Sequence, residues 1–260
     1  MSRRTDTILD YQLGPARRFA RRLVTKILYR IYLRKRLVTT QDFKTYGISL
    51  RIFPSVFHPL FFRSSIYFAD VLLRSFDFAN KRILDVGCGS GILSLLAAKM
   101  GAYVVAVDLN PEAVRSTREN AERNDLYDRV EVLVSDVFEN VPRGNVYDYI
   151  ITNPPFFRAN PRSLADLAWR TNPQQPFLKR VAEGARLLLK ENGEVVCLLS
   201  SDGDVRGEIE EFERAGFVSR IIETKRFLFE RLYVFSFMLE QRTSGPPMGH
   251  EAFGAKQQSA

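Results

Sequence analysis

Three closely spaced glycines follow a short apolar strand near the middle of the chain. Residues 83–86 are apolar except for Asp85, and they are followed by the turn Gly87-Cys88-Gly89-Ser90-Gly91. Glycine permits a sharp bend and lets a ligand approach the backbone, which a side chain would block. Ile92 stands where the G-x-G-x-x-G fingerprint of dinucleotide sites needs its third glycine, so that fingerprint fails. The turn predicts a small-molecule site of another kind.

Two acidic residues end the next two predicted strands. Asp108 lies about twenty residues after the glycine turn, where an acid can accept both hydroxyls of a ribose. Its alternative role is to cap the helix that begins near Pro111, and the coincidence of turn and spacing favours ribose binding. Asp136 ends the following strand and is a candidate for binding an adenine amino group, with Val137 or Phe138 against the ring. A plain turn aspartate is the alternative.

A fourth predicted strand, residues 147–152, ends in Asn153-Pro154-Pro155-Phe156. Proline cannot donate to a sheet ladder, so the strand must stop here. Its last carbonyls are then left at the carboxyl edge of the sheet, which is where ligands bind in open α/β folds. A simple strand terminator is the alternative interpretation, and the motifs before it argue against that.

The motif series LDVGCGSG, AVDLNPEAV, SDVF and YDYIITNPPFF resembles that of class I methyltransferases of the small-domain family. That family includes release factor glutamine methyltransferases and ribosomal RNA guanine-N2 methyltransferases. The resemblance extends from about residue 56 to residue 239. It implies S-adenosylmethionine as the cofactor and methyl transfer to nitrogen as the activity.

The resemblance also implies roles for individual residues. Gly87 to Gly91 would approach the methionine half of the cofactor, Asp85 would orient its amino group and Asp108 would hold its ribose. The predicted cofactor-binding set is Asp85, Gly87, Cys88, Gly89, Ser90, Gly91, Asp108, Leu109, Asp136, Val137 and Asn153. The predicted catalytic set is Asn153, Pro154, Pro155 and Phe156.

The residue types of the catalytic set suit a planar nitrogen. An amide or aryl amine nitrogen is a poor nucleophile because its lone pair is delocalised into the neighbouring π system. If the Asn153 side-chain oxygen and the Pro154 carbonyl accept both N–H groups, they direct the lone pair and stabilise the developing positive charge. Phe156 offers an aromatic face on which a flat acceptor can stack.

The acceptor itself is not fixed by these motifs. Release factor enzymes usually carry a Pro-Arg-x-(Asp/Glu)-Thr stretch before the glycine turn, where this chain has VFHPLFFRS at residues 56–64. Guanine-N2 enzymes often follow the catalytic motif with histidine, where this chain has Phe157 and Arg158. Phe57, His58 and Phe61 are candidates for lining the acceptor mouth, and ordinary packing is the equal alternative.

The net charge of +8 is concentrated at the N-terminus. Residues 1–80 carry 15 Lys and Arg against 5 Asp and Glu, and the remainder carries 23 against 25. Apolar residues at three- and four-residue spacing over residues 16–37 predict an amphipathic helix whose other face is rich in arginine. That face is either simply solvated or contacts a polyanion, which would be RNA on a ribosome or an anionic membrane surface.

From residue 81 onward, seven apolar runs alternate with helical stretches, so we predict a Rossmann-like α/β fold. Its sheet has seven strands and is mostly parallel, with an antiparallel hairpin at the C-terminal edge and helices on both faces. We expect a basic helical extension over residues 1–50, a catalytic domain over 51–240 and a disordered tail over 241–260. Two distant cysteines and the lack of a Cys/His cluster predict a cytoplasmic protein without metal.

Three other functions stay open from the sequence. A nicotinamide-dependent oxidoreductase uses the same fold, a methyltransferase of a small molecule would use the same motifs, and a non-catalytic binding module would keep the cofactor pocket. We expect an N-methyltransferase whose acceptor is a protein glutamine or an RNA base.

Overall fold

The computed structural model describes residues 39–59, 64–158, 160, 170–227 and 230–240. The predicted basic helix over residues 16–37, the predicted tail over 241–260 and Phe61 lie outside the described residues. Within the described part of the chain, no helix is both long and apolar enough to cross a membrane.

Eleven strands and five helices make up the described chain. The strands are β1 (Gln41–Thr45), β2 (Ile48–Ile52), β3 (Arg82–Val86), β4 (Tyr103–Asp108), β5 (Val130–Val134), β6 (Tyr147–Thr152), β7 (Phe157–Arg158), β8 (Arg170–Thr171), β9 (Leu189–Ser200), β10 (Phe217–Arg226) and β11 (Arg231–Leu239). The helices are α1 (Ser64–Ser75), α2 (Ile92–Lys99), α3 (Pro111–Arg123), α4 (Phe177–Ala185) and α5 (Val205–Arg214).

Seven strands form the central sheet, in the order β10-β11-β9-β6-β3-β4-β5. The neighbouring strands β9, β6, β3, β4 and β5 run parallel to one another. β11 is antiparallel to both β9 and β10. The predicted mostly parallel sheet with an antiparallel edge hairpin is confirmed. The order reverses at β3, because β4 lies on one side of this strand and β6 on the other.

The sheet separates two hydrophobic cores, as alternation along a strand requires. Ile83 and Val104 face a core that includes residues of α1, α2 and α3. Leu84 and Val105, the next residue along each strand, face a second core that includes residues of α4 and α5. Helices therefore cover both faces, as predicted.

A second, two-stranded sheet precedes the central sheet in the chain. β1 and β2 form an antiparallel hairpin around a tight turn, and β2 lies against α3. The side chains of Asn120 and Asn124 pair with the backbone N–H and C=O of Arg51 and Ser49, at 2.6–2.9 Å, and so satisfy the free edge of β2. The predicted division at residue 50 falls within this strand.

α4 is a short helix that is followed directly by the long strand β9. α4 ends at Ala185, and the backbone N–H groups of Val146 and Tyr147 donate to the carbonyl of Leu188 at 3.0 and 3.1 Å. Pairing with the start of β6 thus takes the chain out of the helix and into β9, a strand of 12 residues.

Candidate cofactor and acceptor site

A cavity of about 310 Å³ lies at the carboxyl ends of the parallel strands, beside the point where the strand order reverses. This is the usual ligand position in open α/β sheets. Ten of the predicted site residues line it: Gly87, Cys88, Gly89, Ser90, Asp108, Leu109, Asp136, Val137, Asn153 and Pro155. Four predicted residues do not belong to the lining that the described residues form: Asp85, Gly91, Pro154 and Phe156.

The glycine turn is held tightly against the neighbouring strand. The N–H groups of Gly87 and Cys88 both donate to the carbonyl of Val107, at 2.8 and 3.0 Å. Gly87 has φ +82°, and a Cβ at this residue would meet no atom within 4 Å. Gly91 has the same φ, but a Cβ there would lie 2.9 Å from the methyl carbon of Thr117. The first glycine therefore leaves space at the cavity, whereas the last allows α2 and α3 to pack closely.

Asp108 ends β4 and ties the turn to α3. Its carboxylate accepts hydrogen bonds from the N–H of Gly89 at 2.9 Å and from the N–H of Asn110 at 2.8 Å. Asn110 caps α3 by accepting from the N–H of Glu112 at 3.0 Å, so the cap is not Asp108. Burial raises the pKa of Asp108 above its ordinary value, against the opposing effect of the backbone donors. The carboxylate is thus held in place at the cavity wall, as ribose binding would need.

Asp85 lies in the interior rather than at the cavity surface. It is 1% exposed, and its Oδ2 accepts from the Ser94 hydroxyl at 2.5 Å. Its Oδ1 is buried and receives no hydrogen bond from the described residues. Burial raises the pKa of Asp85 to about 7. A buried, unpartnered carboxylate oxygen beside the glycine turn suits a cationic group such as an amino group.

Asp136 forms an ion pair with Arg180 of α4, with Nη1 and Oδ1 2.8 Å apart. Arg180, which no sequence motif marks as a site residue, also lines the cavity. Val137 follows with φ +52°, a strained conformation for a β-branched residue. Phe138 is in tight contact with Gly184, where a Cβ would lie 2.3 Å from its ring. Of the two residues considered for packing on an adenine ring, Val137 is therefore the one at the cavity.

Asn153 lies just after β6 and joins the same cavity. Its Nδ2 donates to Ser65 Oγ at 2.9 Å and contacts Ser64 Oγ at 3.4 Å. Its Oδ1 is buried and has no hydrogen-bond partner among the described residues. Just before it, the Thr152 hydroxyl donates to the carbonyl of Val86 at 2.7 Å. The asparagine is thereby fixed next to the strand that carries the glycine turn.

The aromatic residues are arranged differently from the prediction. Phe156 packs against the core that contains α1, whereas Phe57 lines the cavity. His58 is 3% exposed, and its ring centroid lies 6.4 Å from that of Phe43. The structure thus favours a cavity position for Phe57 and packing for His58.

Several lining residues were missing from the sequence analysis: Ser65, Asn172, Gln175, Phe177 and Arg180. Ser65 comes from α1, Asn172 and Gln175 from the segment that leads into α4, and Phe177 and Arg180 from α4 itself. No regular spacing in the sequence marks these residues as part of a site. Within the described ranges, no group of three or more His, Cys, Asp or Glu residues could hold a metal ion. Cys88 and Cys197 are both free and buried.

The arrangement fits S-adenosylmethionine. Gly87 leaves open space at the turn, Asp85 keeps an unpartnered oxygen for a cationic group, and Asp108 presents a fixed carboxylate. Together these features suit a positively charged amino acid joined to a nucleoside.

Comparison with known proteins agrees with this geometry. Residues 67–227 match the methyltransferase small domain family. A putative protein N5-glutamine methyltransferase of Methanocaldococcus jannaschii is 32% identical over 197 residues, which cover 73% of this chain and 95% of the relative. The ribosomal protein L11 methyltransferase of Thermosipho melanesiensis is also 32% identical, over 71% of this chain, and the match spans only 55% of that relative.

Solved structures share the fold. The T. thermophilus 16S rRNA N2 G1207 methyltransferase, in complex with AdoMet and guanosine, has a TM-score of 0.58 and 22% identity, over 77% of this chain and 50% of that one. The E. cuniculi Mtq2–Trm112 complex, responsible for methylation of the eRF1 termination factor, has a TM-score of 0.53 and 18% identity, over 72% of this chain and 99% of that one.

These matches exclude a nicotinamide-dependent oxidoreductase and confirm the predicted family and cofactor. The chain belongs to the methyltransferase small domain family and is an S-adenosylmethionine-dependent methyltransferase.

Proposed function

We propose that the chain transfers a methyl group to a planar nitrogen, either the side-chain amide of a protein glutamine or an exocyclic amine of an RNA base. One observation carries the proposal. Asn153 lines the same cavity as Gly87 and Asp108, and its Oδ1 is buried without a partner among the described residues. A native protein rarely leaves such an atom unpaired without a functional reason.

The proposed mechanism relies on hydrogen bonding rather than on a strong base. S-adenosylmethionine, when bound, supplies an electrophilic methyl group. Asn153 Oδ1 accepts one N–H group of the methyl acceptor, and the second role falls to the carbonyl of Pro154, which adjoins Asn153 although it is not part of the described lining. The two bonds orient the lone pair of the nitrogen and stabilise the positive charge that develops on it. Pro154 has no N–H that would compete for these bonds.

The charged groups at the cavity support this mechanism. Within the described lining, the carboxylates are Asp108 and Asp136. Both are already engaged, Asp108 with backbone N–H groups and Asp136 with Arg180. Neither is poised to remove a proton, and none is needed, because the methylated nitrogen is acidic and loses its proton to water.

Two kinds of observation support the proposed acceptor class. The M. jannaschii relative is named as a putative protein N5-glutamine methyltransferase, and one structural neighbour acts on guanine N2 of 16S rRNA. Both acceptors present a planar nitrogen with two N–H groups. The positive charge of residues 1–80 favours RNA or a ribosomal particle as the surrounding polyanion.

The test is methyl transfer from tritiated S-adenosylmethionine to the separated RNA and protein of a cell extract. We expect label in one of these fractions. Asn153→Ala should lower the rate by about a hundredfold, as removal of an oriented hydrogen-bonding group does in other active sites, while S-adenosylhomocysteine still binds by calorimetry. Asn192→Ala, at an exposed residue of β9, is the matched control. Label confined to small metabolites, or full activity of Asn153→Ala, would overturn the proposal.

Replacement of Arg17, Arg18, Arg21 and Arg22 by alanine separates the two acceptors. If RNA is the acceptor, the quadruple variant should lose RNA binding and transfer together, with a salt dependence weaker than that of the wild type. If only protein is labelled, the RNA acceptor is excluded.

A further inference from the structure

Two serines at the start of α1 surround one end of the Asn153 amide. Ser64 and Ser65 are 7% and 4% exposed, and both hydroxyl oxygens face Asn153 Nδ2, at 3.4 and 2.9 Å. Ser65 also lines the cavity. No other described group is hydrogen-bonded to the Asn153 side chain, so these contacts alone distinguish its two ends.

The orientation of the Asn153 amide decides which kind of methyl-accepting nitrogen the site can bind. With Nδ2 toward the serines, the carbonyl oxygen is the end left for a ligand, and the site accepts a hydrogen bond. With the amide rotated by 180°, the NH2 group would be left instead, and the site would donate. A substrate nitrogen that carries N–H groups donates hydrogen bonds, so only the first arrangement, with the carbonyl oxygen toward the ligand, can bind it.

The serines favour the first arrangement in the absence of substrate. A rotated amide would leave two buried N–H donors of Asn153 without partners, whereas the observed one leaves a single carbonyl oxygen. Unpartnered N–H groups are the rarer of the two in folded proteins. Each serine oxygen has lone pairs that can accept a hydrogen bond from Nδ2. The two serines can therefore satisfy both N–H donors of the Asn153 amide.

We propose that Ser65, assisted by Ser64, is a positioning residue that holds the Asn153 amide with Oδ1 available to the acceptor nitrogen. The role rests on the proposed function, because the site needs a hydrogen-bond acceptor only if the substrate presents N–H groups. Ser65 thus acts through Asn153. It makes the site prefer a substrate nitrogen that carries N–H groups over one without hydrogen, such as an unprotonated ring nitrogen.

The first measurement observes the amide directly. In the ¹⁵N-labelled full chain, the Asn153 side-chain NH2 resonances are identified by their loss in Asn153→Ala. We expect these protons to exchange slowly with water in the wild type and at least about tenfold faster in Ser65→Ala, because a hydrogen bond of ordinary strength is lost. Ser65→Thr, which keeps the hydroxyl, should restore slow exchange.

Ser116→Ala is the matched control. Ser116 is also a fully buried serine, but its hydroxyl donates to the carbonyl of Arg51 at 2.8 Å rather than contacting Asn153. This variant should leave the Asn153 resonances unchanged. Unchanged exchange in Ser65→Ala would overturn the proposal. If Ser65→Ala does not fold, Ser65→Cys gives the same comparison, because sulfur has nearly the same position but accepts weakly.

The second measurement is kinetic and uses the RNA or protein fraction labelled by the wild type. Ser65→Ala should lower kcat about tenfold, with the KM for S-adenosylmethionine unchanged. A purely structural role would instead lower the melting temperature and cofactor affinity together, and that result would also overturn the proposal. If the wild type labels neither fraction, the proposed function fails, and the exchange experiment still decides whether Ser65 orients Asn153.

Discussion

At the scale of single residues, Asp85 is a buried acid whose ionised form is disfavoured by burial. Burial raises its pKa from 3.8 to about 7, so the folded protein holds a proton there between about pH 4 and pH 7 that the unfolded chain has released. The stability contribution of this group is therefore lost as pH rises through that window, and at pH 8 the buried carboxylate is ionised. The fold keeps a destabilising acid next to the glycine turn.

We therefore predict that Asp85→Asn gains stability relative to the wild type as pH rises. The difference in unfolding free energy between the two proteins should shift in favour of the variant by about 2 kcal/mol between pH 5 and pH 8. Denaturant unfolding at a series of pH values measures it. If Asp85 orients the amino group of the cofactor, as the family resemblance implies, the variant should also bind S-adenosylhomocysteine more weakly by calorimetry.

Asp148→Asn provides a control for this pH dependence. Asp148 is partly buried, but hydrogen bonds from the N–H of Arg82 and from Lys190 outweigh the burial and lower its pKa. It is ionised in both the folded and unfolded states from pH 5 to pH 8. Its stability difference from the wild type should be flat over this range, and a flat profile for Asp85→Asn as well would contradict a raised pKa.

At the scale of elements, two glycines of the turn share one backbone conformation but serve different purposes. Gly87 and Gly91 both have φ +82°, so alanine introduces similar strain at either position. We predict that Gly91→Ala mainly costs stability, because its Cβ would clash with Thr117 and push α2 from α3. Gly87→Ala should mainly cost cofactor affinity, because its Cβ would project into open space at the cavity.

Thermal melts and calorimetry with S-adenosylhomocysteine distinguish the two variants. The drop in melting temperature should be clearly larger for Gly91→Ala, and the loss of affinity should be at least about tenfold for Gly87→Ala. Equal effects on both quantities would mean that backbone strain alone dominates, and that neither the space at Gly87 nor the contact at Gly91 matters.

The elements that could be predicted from sequence are those with strong local patterns. Alternating apolar runs and helices fixed the order of β3 to β6 and the edge hairpin, and Asn153 was found because two prolines end its strand. Ser65 and Arg180 were missed because each reaches the cavity only through tertiary packing. The β1–β2 hairpin was not predicted, since its turn and aromatic residues form no regular period, and its edge is satisfied by two distant asparagines of α3.

At the scale of the whole molecule, the cavity connects the two cores of the sheet. Its glycine turn leads into α2 in one core, whereas Arg180 comes from α4 in the other core, and its partner Asp136 precedes Val137 of that same core. The ion pair therefore fixes α4 to the loop after β5. Both side chains are about one-third exposed, so its contribution is modest, about 1 kcal/mol or less.

Arg180→Ala should accordingly weaken S-adenosylhomocysteine binding by a few-fold, with the loss shrinking at high salt as exposed charges are screened. Hydrogen exchange gives the sharper test. In the wild type, ligand binding should protect the backbone amides of both the 135–137 loop and the start of α4. In Arg180→Ala, the start of α4 should lose that protection. Lys179→Ala, at the adjacent and exposed position of α4, is the matched control. If Arg180→Ala keeps protection in both regions, packing rather than the ion pair couples α4 to the loop after β5 at the cavity.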